Sequence, residues 1–333
     1  CQPRRQVAKE RSCIARHAAV LEASGVRGTH DELRTLFKIE ELKIDQGRKV
    51  AVVGANGCGK STLLSVLAGK NSPKEGEVVL RSGAHVTVVE QSPKFDSKKT
   101  VQDTIFEKAN SPQAQAARDF RVATALGDEE KLSKALEKMD AMPEAWTWDE
   151  QVTRVAEELG LGPLLDRQVG SLSGGEERRV ALAAALVDLP STDLLILDEP
   201  TNHLSAEGCE FLQETLTSAR DVSLILVSHD RYFLDRVCDE IFEIDGNGET
   251  FSHPGSWELF LKRRAERYQA RASEVQDAKV QLRRAEAWAR RGASGRGTKN
   301  RAQMNAVDDL RQRAQKVVAA NDGNPDLEDK MLQ

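Results

Sequence analysis

The sequence predicts an α/β fold built around a parallel sheet, on three observations. The apolar run Val50-Ala51-Val52-Val53 leads into a glycine-rich loop and then into Leu63-Leu64-Ser65-Val66-Leu67-Ala68, in the order strand, loop, helix. The run Asp193-Leu194-Leu195-Ile196-Leu197-Asp198-Glu199-Pro200 reads as an apolar strand ending in two carboxylates. A matching run, Val222-Ser223-Leu224-Ile225-Leu226-Val227, ends in Ser228-His229-Asp230. Short, continuous apolar runs of this kind suit strands buried on both faces.

The loop supplies the chemistry. Residues Gly54, Ala55, Asn56, Gly57, Cys58, Gly59, Lys60, Ser61 and Thr62 match the phosphate-binding pattern G-x-x-x-x-G-K-[ST], in the strand-to-helix context it requires. Glycines let the backbone curl so that several N–H groups face one anion, and the following helix adds its positive end to the same spot. Lys60 is placed to reach the β- and γ-phosphates of a nucleoside triphosphate, and Ser61 to ligate Mg²⁺. At the far strand tips, Asp198 suits the Mg²⁺ shell, Glu199 suits polarising a water, and His229 suits contact with the γ-phosphate.

Composition narrows the class. The 333 residues allow one large domain or two smaller ones with a proper core. No apolar run approaches the ~20 residues that cross a bilayer, so no membrane role is expected of the chain by itself. The five cysteines, scattered with no paired or metal-ligand spacing, suit a reducing compartment. That points to the cytoplasm, with a plastid or mitochondrial matrix as the alternative. The chain begins with Cys1 rather than Met and is read as a fragment or a processed piece; residues 1–19 suit a disordered tail or the remnant of a transit peptide. Residues 31–260 carry 25 Lys/Arg against 41 Asp/Glu, whereas residues 261–301 carry 13 against 4. A basic segment on an acidic body implies a polyanionic partner for that segment.

Taken in order, Ala19-Val20-Leu21-Glu22-Ala23 and Leu36 to Ile44 read as strands, with Gln46-Gly47 turning into the strand that feeds the loop. Glu77-Val78-Val79-Leu80 and His85 to Glu90 read as further strands, and Gln91 closes the second. A glutamine there is either a plain terminator or a sensor of Mg²⁺ and the attacking water. Residues 100–168 are helical in pattern, with Val152, Val155, Ala156 and Leu159 at helical spacing and Trp146 and Trp148 as packing residues. Ser173 with Glu176 three residues on forms a capping box for a helix over Arg178 to Leu186, and Gly174-Gly175 adds exposed N–H groups suited to a second anion.

Residues 54–62, Gln91, Leu172 to Glu176, Leu195 to Pro200 and His229 together resemble the ATP-binding-cassette ATPases in order and spacing. Thr201-Asn202-His203-Leu204, Glu176 closing the signature, and Ser228 to Asp235 resemble the ABC-F branch; Glu286 to Gly292 followed by Gly297 to Arg301 is similar to its Uup-like members. The resemblance implies ATP and Mg²⁺ as cofactors, with Ser61, Gln91 and Asp198 on the metal and Glu199, His229 and Gln91 at the reaction. It also implies two cassettes packed head to tail, so that Ser173, Gly174, Gly175 and Glu176 serve the partner cassette's ATP. A P-loop ABC domain is expected over 20–255, with a helical subdomain at about 100–170. A basic linker is expected over 256–320, and 321–333 would start the connection to a second cassette absent from this chain. With one set of motifs, the chain is expected to bind ATP and to hydrolyse it weakly unless it dimerises. The family's Asp after Asn-His-Leu is Ser205 here, and the adenine-stacking position falls near His30, with Phe37 second.

The linker reads as an antiparallel α-helical hairpin. Leu261, Ala265, Tyr268, Ala272, Val275 and Leu282 make a heptad seam, and Met304, Val307, Leu310, Ala314 and Val317 a returning stripe after the break at Gly292-Ala293-Ser294-Gly295. Its tip carries Arg290, Arg291, Arg296, Lys299 and Arg301, a density of arginine suited to phosphate contacts. Shape recognition of folded RNA, ribosomal or transfer, suits a basic tip without an aromatic platform; contacts to phosphate serve DNA equally. The function expected is an ABC-F ATPase acting on the ribosome. The alternatives are a transporter's ATPase subunit, which would need no basic hairpin, and a DNA-binding ATPase of repair or chromosome maintenance.

Overall fold

The computed structural model describes residues 19–29, 35–290, 309 and 311–312. Its centre is a six-stranded sheet ordered β5-β6-β7-β3-β8-β9. The strands are β3 (Lys49–Gly54), β5 (Val86–Val89), β6 (Leu194–Asp198), β7 (Ser223–Val227), β8 (Glu240–Ile244) and β9 (Thr250–Pro254). Pairing is parallel from β5 through β8, and only β9 runs antiparallel. A second, antiparallel sheet orders β2 (Thr35–Asp45), β1 (Ala19–Thr29) and β4 (Glu75–Leu80) as β2-β1-β4.

Alternation along the central strands divides the core in two, because successive side chains point to opposite faces. Val50, Val52, Leu194, Ile196, Ile225 and Val227 face the three-stranded sheet and helix α1 (Lys60–Leu67). Ala51, Val53, Leu195, Leu197, Leu224 and Leu226 face the helical layer instead. Both sets are buried, which is why these strands read as unbroken apolar runs.

The helical layer contains α2 (Val101–Lys108), α3 (Pro112–Leu126), α4 (Glu129–Asp140), α5 (Trp148–Glu158) and α6 (Gly174–Val187). Val152 and Ala156 are fully buried, in keeping with the helical spacing. Trp148 is buried in this core, whereas Trp146 is 46% exposed and meets the Phe120 ring edge to face. The reading of Trp146 as a packing residue therefore holds only for its covered side. Helix α6 begins at Gly174, four residues before the expected start, because Ser173 caps it there.

Two helices follow the acidic strand tips. Helix α7 (Ala206–Ser218) is capped by Ser205, whose hydroxyl accepts from Gly208 N at 3.1 Å. Helix α8 (Arg231–Val237) is capped by Asp230, which accepts from Tyr232 N and Phe233 N. Strands β8 and β9 then form a hairpin, and α9 (Trp257–Arg290) runs away from it. The buried stripe of α9 differs from the expected seam. Phe260 is buried, and Leu261, Arg264, Arg267, Tyr268, Arg271, Val275 and Leu282 are half-buried, while Ala265 and Ala272 are exposed. Arginines replace alanines along the stripe because acids on the hairpin face it. Arg311 pairs with Glu286 at 3.0 Å, as a chain that doubles back onto α9 would. The side chain of Arg290, all of Arg291, Arg296, Lys299 and Arg301, and most of the returning stripe lie outside the described residues.

Serine and aspartate cap helices about equally well, so Ser205 takes over this part of the family's aspartate. Ser205→Ala is expected to lower unfolding stability by about 1 kcal/mol, and Ser205→Asp to leave it within about 0.5 kcal/mol, in urea denaturation. A loss with Asp as large as with Ala would contradict this role.

Candidate functional site

Parallel register brings the carboxyl ends of three strands together. Asp198 at the end of β6 lies opposite Val227 of β7, and β7 in turn pairs with β3, which ends at Gly54. Open α/β sheets bind ligands beyond these ends. Here the ends border a cleft of about 550 Å³ lined by Leu36, Asn56, Gly57, Gly59, Lys60, Ser61, Thr62, Gln91, Asp198, Glu199, Val227 and His229.

The loop takes the form its glycines permit. Gly57 and Gly59 have φ of 78° and 100°, in the left-handed region. Space restricts Gly59 as well, since a Cβ there would fall 2.9 Å from Leu36 Cβ. Lys60 Nζ folds back to donate to Gly54 O at 2.9 Å and Ala55 O at 3.1 Å, poised over the loop. Burial keeps the Cys58 thiol above its ordinary pKa and therefore protonated.

Ser61 Oγ donates to Asp198 Oδ2 at 2.8 Å, joining the loop to the tip of β6. With the Gln91 side chain in the same cleft, the donors are all oxygens, the set that Mg²⁺ takes. Among the described residues no group of three His, Cys, Asp or Glu gathers to hold a metal. The residues present suit the ion.

Glu199 has φ of 51°, in the left-handed region that glutamate rarely enters. Its backbone N–H donates to Val227 O at 2.9 Å, which fixes the turn. Glu199 Oε2 accepts from His229 N at 3.2 Å, and Oε1 lies 3.3 Å from His229 Nε2 at ion-pair distance. Burial pushes the Glu199 carboxyl above its ordinary value, against the pull of His229. The carboxylate is thus half-buried at the cleft while His229 remains more than half exposed.

The glycine pair lies apart from this cleft. Ser173 N and Oγ both donate to Glu176 Oε2 at 2.7 Å, and Glu176 N donates back to Ser173 Oγ at 3.4 Å. The hydrogen bonds from Ser173 hold the Glu176 carboxyl below its ordinary value. Ser173, Gly174, Gly175 and Glu176 are not among the residues that line the cleft with Lys60 and Glu199. Gly175 touches the segment after Glu199: a Cβ on it would fall 3.2 Å from His203 Cγ, and His203 has φ of 69°.

Of the two adenine-side expectations, one changes and the other falls on a residue that is not described. Phe37 is fully buried, with Gly28 against its ring and Gly59 beside it, so it cannot stack on a base. His30 lies outside the described residues. Leu36, which the sequence reading passed over, lines the cleft instead; its only signal is its place at the start of β2, one residue before a core position.

Residues 37–202 match the family model described as ABC transporter. Over 300 residues the chain is 35% identical to the energy-dependent translational throttle protein EttA of Mycobacterium tuberculosis, spanning 88% of this chain and 52% of that protein. It is 36% identical over 303 residues to YfmR of Bacillus subtilis, an uncharacterized ABC transporter ATP-binding protein, spanning 88% of this chain and 47% of that one. Among solved structures, the ATP binding subunit of an ABC transporter shares the fold with a TM-score of 0.55 at 18% identity, covering 73% of this chain and 98% of that one. The chain belongs to the ATP-binding-cassette ATPases, and its cassette is of the ABC-F type. It spans about half the length of the curated relatives it matches. No helix among the described residues is long and apolar enough to cross a membrane.

Because its folded pKa is raised, Glu199 contributes stability that is fully present below 4.5 and lost as pH rises through the folded value. At pH ~7 the ionised, buried carboxylate is a cost that an amide lacks. Glu199→Gln is expected to raise the thermal midpoint at neutral pH, with the gain vanishing below pH 4.5. A lowered midpoint at neutral pH would contradict the burial argument.

Proposed function

We propose that the chain is the ATP-hydrolysing cassette of a protein that acts in translation. The observation that carries the nucleotide half is that Lys60, Ser61, Gln91, Asp198, Glu199 and His229 border one cleft. The name of the 35% identical EttA, a translational throttle protein, supports the translational half.

In this reading the N–H groups of residues 54–62 cradle the phosphates, and Lys60 leaves the carbonyls of Gly54 and Ala55 for the β- and γ-oxygens. Ser61, Asp198 and Gln91 would hold Mg²⁺, which neutralises phosphate charge when bound. Glu199 orients the attacking water and accepts its proton, and His229 holds the γ-phosphate. A buried carboxylate with raised pKa is a stronger base than an exposed one, which suits that task.

Ser173, Gly174, Gly175 and Glu176 serve the ATP of a second cassette packed head to tail, since they stand outside this chain's own cleft. Hydrolysis by one cassette alone is accordingly weak. The basic segment beyond Glu286, with Arg290, Arg291, Arg296, Lys299 and Arg301, contacts ribosomal or transfer RNA, and closure of the paired cassettes moves it.

Lys60→Met is expected to weaken ATP binding about 100-fold, the loss of two charge-assisted hydrogen bonds. Calorimetric titration with a slowly hydrolysed ATP analogue measures it, and unchanged affinity would remove Lys60 from the site. With a second cassette supplied, Glu199→Gln is expected to hold the ATP-bound state and to co-sediment with ribosomes, less so as salt rises. Equal recovery on duplex DNA and on ribosomes would favour the DNA-binding reading instead.

A further inference from the structure

The densest buried charge outside the cleft lies where α9 leaves the cassette. Glu243 on β8 and Asp245 just beyond it are 2% and 5% exposed, with His253 of β9 beside them. Arg264 Nε stands 3.0 Å from Glu243 Oε1, and Arg267 Nη2 donates to Glu243 Oε2 at 2.5 Å. His253 Nε2 lies 3.2 Å from that carboxylate and 3.2 Å from Arg267 Nη1. Further along α9, Arg271 bridges Asp245 at 3.0 Å and Glu249 at 2.6 Å. The Arg267 guanidinium lies over Phe251, 3.8 Å from its ring centroid. Three arginines spaced along one helix face thus grip a single β-hairpin.

The turn end of that hairpin adjoins the segments that flank the nucleotide cleft. Glu243 and Ile244 of β8 pair in register with Val53 and Gly54, the last two residues of β3 before the loop. Arg264 and Tyr268 border a small cavity together with Gly54 and Ala55. At the hairpin turn, Lys38 N donates to Gly248 O at 2.7 Å and Thr250 Oγ1 donates to Lys38 O at 3.0 Å. Leu36, two residues before Lys38, lines the cleft.

We propose that this arginine cluster is a coupling element: through the β8–β9 hairpin it links occupancy of the phosphate loop to the direction in which α9 leaves the cassette. The inference rests on the proposed nucleotide binding. Glu243, Asp245 and their arginines are positioning residues, since none of them borders the nucleotide cleft. Buried ion pairs are suited to this task because their geometry is discrete, whereas an apolar contact would let the helix slide. Burial pushes the Glu243 carboxyl up, but His253, Arg267 and Arg264 outweigh it and hold it below its ordinary value.

The test is amide hydrogen exchange on the full chain with and without ATP, for wild type, Glu243→Gln and Arg271→Gln, with circular dichroism to confirm folding. In wild type, ATP is expected to protect residues 54–62 and to slow exchange over 257–272 about 5-fold, the lower end of ordinary coupling between sites. In both variants protection at 54–62 persists, and the response over 257–272 is lost. A merely structural role would raise exchange over 257–272 equally with and without ATP and leave the response intact, which overturns the coupling. Should Glu243→Gln fail to fold, the half-buried Arg271 decides the matter alone. No response over 257–272 in wild type, with 54–62 still protected, overturns the coupling but not nucleotide binding. Loss of protection at 54–62 in wild type overturns both.

Discussion

The register of β3, β7 and β6 is the constraint on which the rest depends. Parallel pairing brings the carboxyl ends of β3, β7 and β6 to one end of the sheet, and so places a loop of backbone donors beside two carboxylates. The Ser61–Asp198 hydrogen bond is the local result, joining residues 137 positions apart in sequence. A slip of one residue in either pairing would turn Asp198 to the other face of the sheet and separate it from Ser61.

Charge is used differently on the two sides of β3. Toward β6, the cleft holds carboxylates at a polar mouth, with Glu199 half withdrawn from water in a left-handed turn. Toward β8, acids and arginines neutralise one another in the interior, and α9 is fixed by them. Phosphate charge entering the first side meets a loop whose opposite neighbour is the second. Strands β7 and β3 therefore lie between the tip of β6, beside Glu199, and the β8–β9 hairpin that holds the base of the long helix.

Much of the site was legible in the sequence, for physical reasons. The phosphate loop needs its glycines and lysine at fixed spacing, and doubly buried strands have no polar positions to blur the pattern, so Lys60, Asp198, Glu199 and His229 could be placed together. The capping box at Ser173 and Glu176 is local and read correctly. What escaped depends on long-range pairing. Strands β8 and β9 carry Glu243 and His253 at buried positions, with Asp245 buried just beyond β8, which breaks the apolar signal. The arginines of α9 read as a solvated or RNA-facing surface until their partners on the hairpin are known. Phe37 looked available for stacking because nothing in its neighbourhood of sequence shows that Gly28 opens a slot for its ring.

The account is tested most directly by a crystal structure of the cassette with Mg²⁺ and a slowly hydrolysed ATP analogue. Lys60 Nζ should have left Gly54 O and Ala55 O for phosphate oxygens, and the Ser61–Asp198 bond should have opened around the metal. A nucleotide bound elsewhere, or bound here with both of those contacts unchanged, would contradict it.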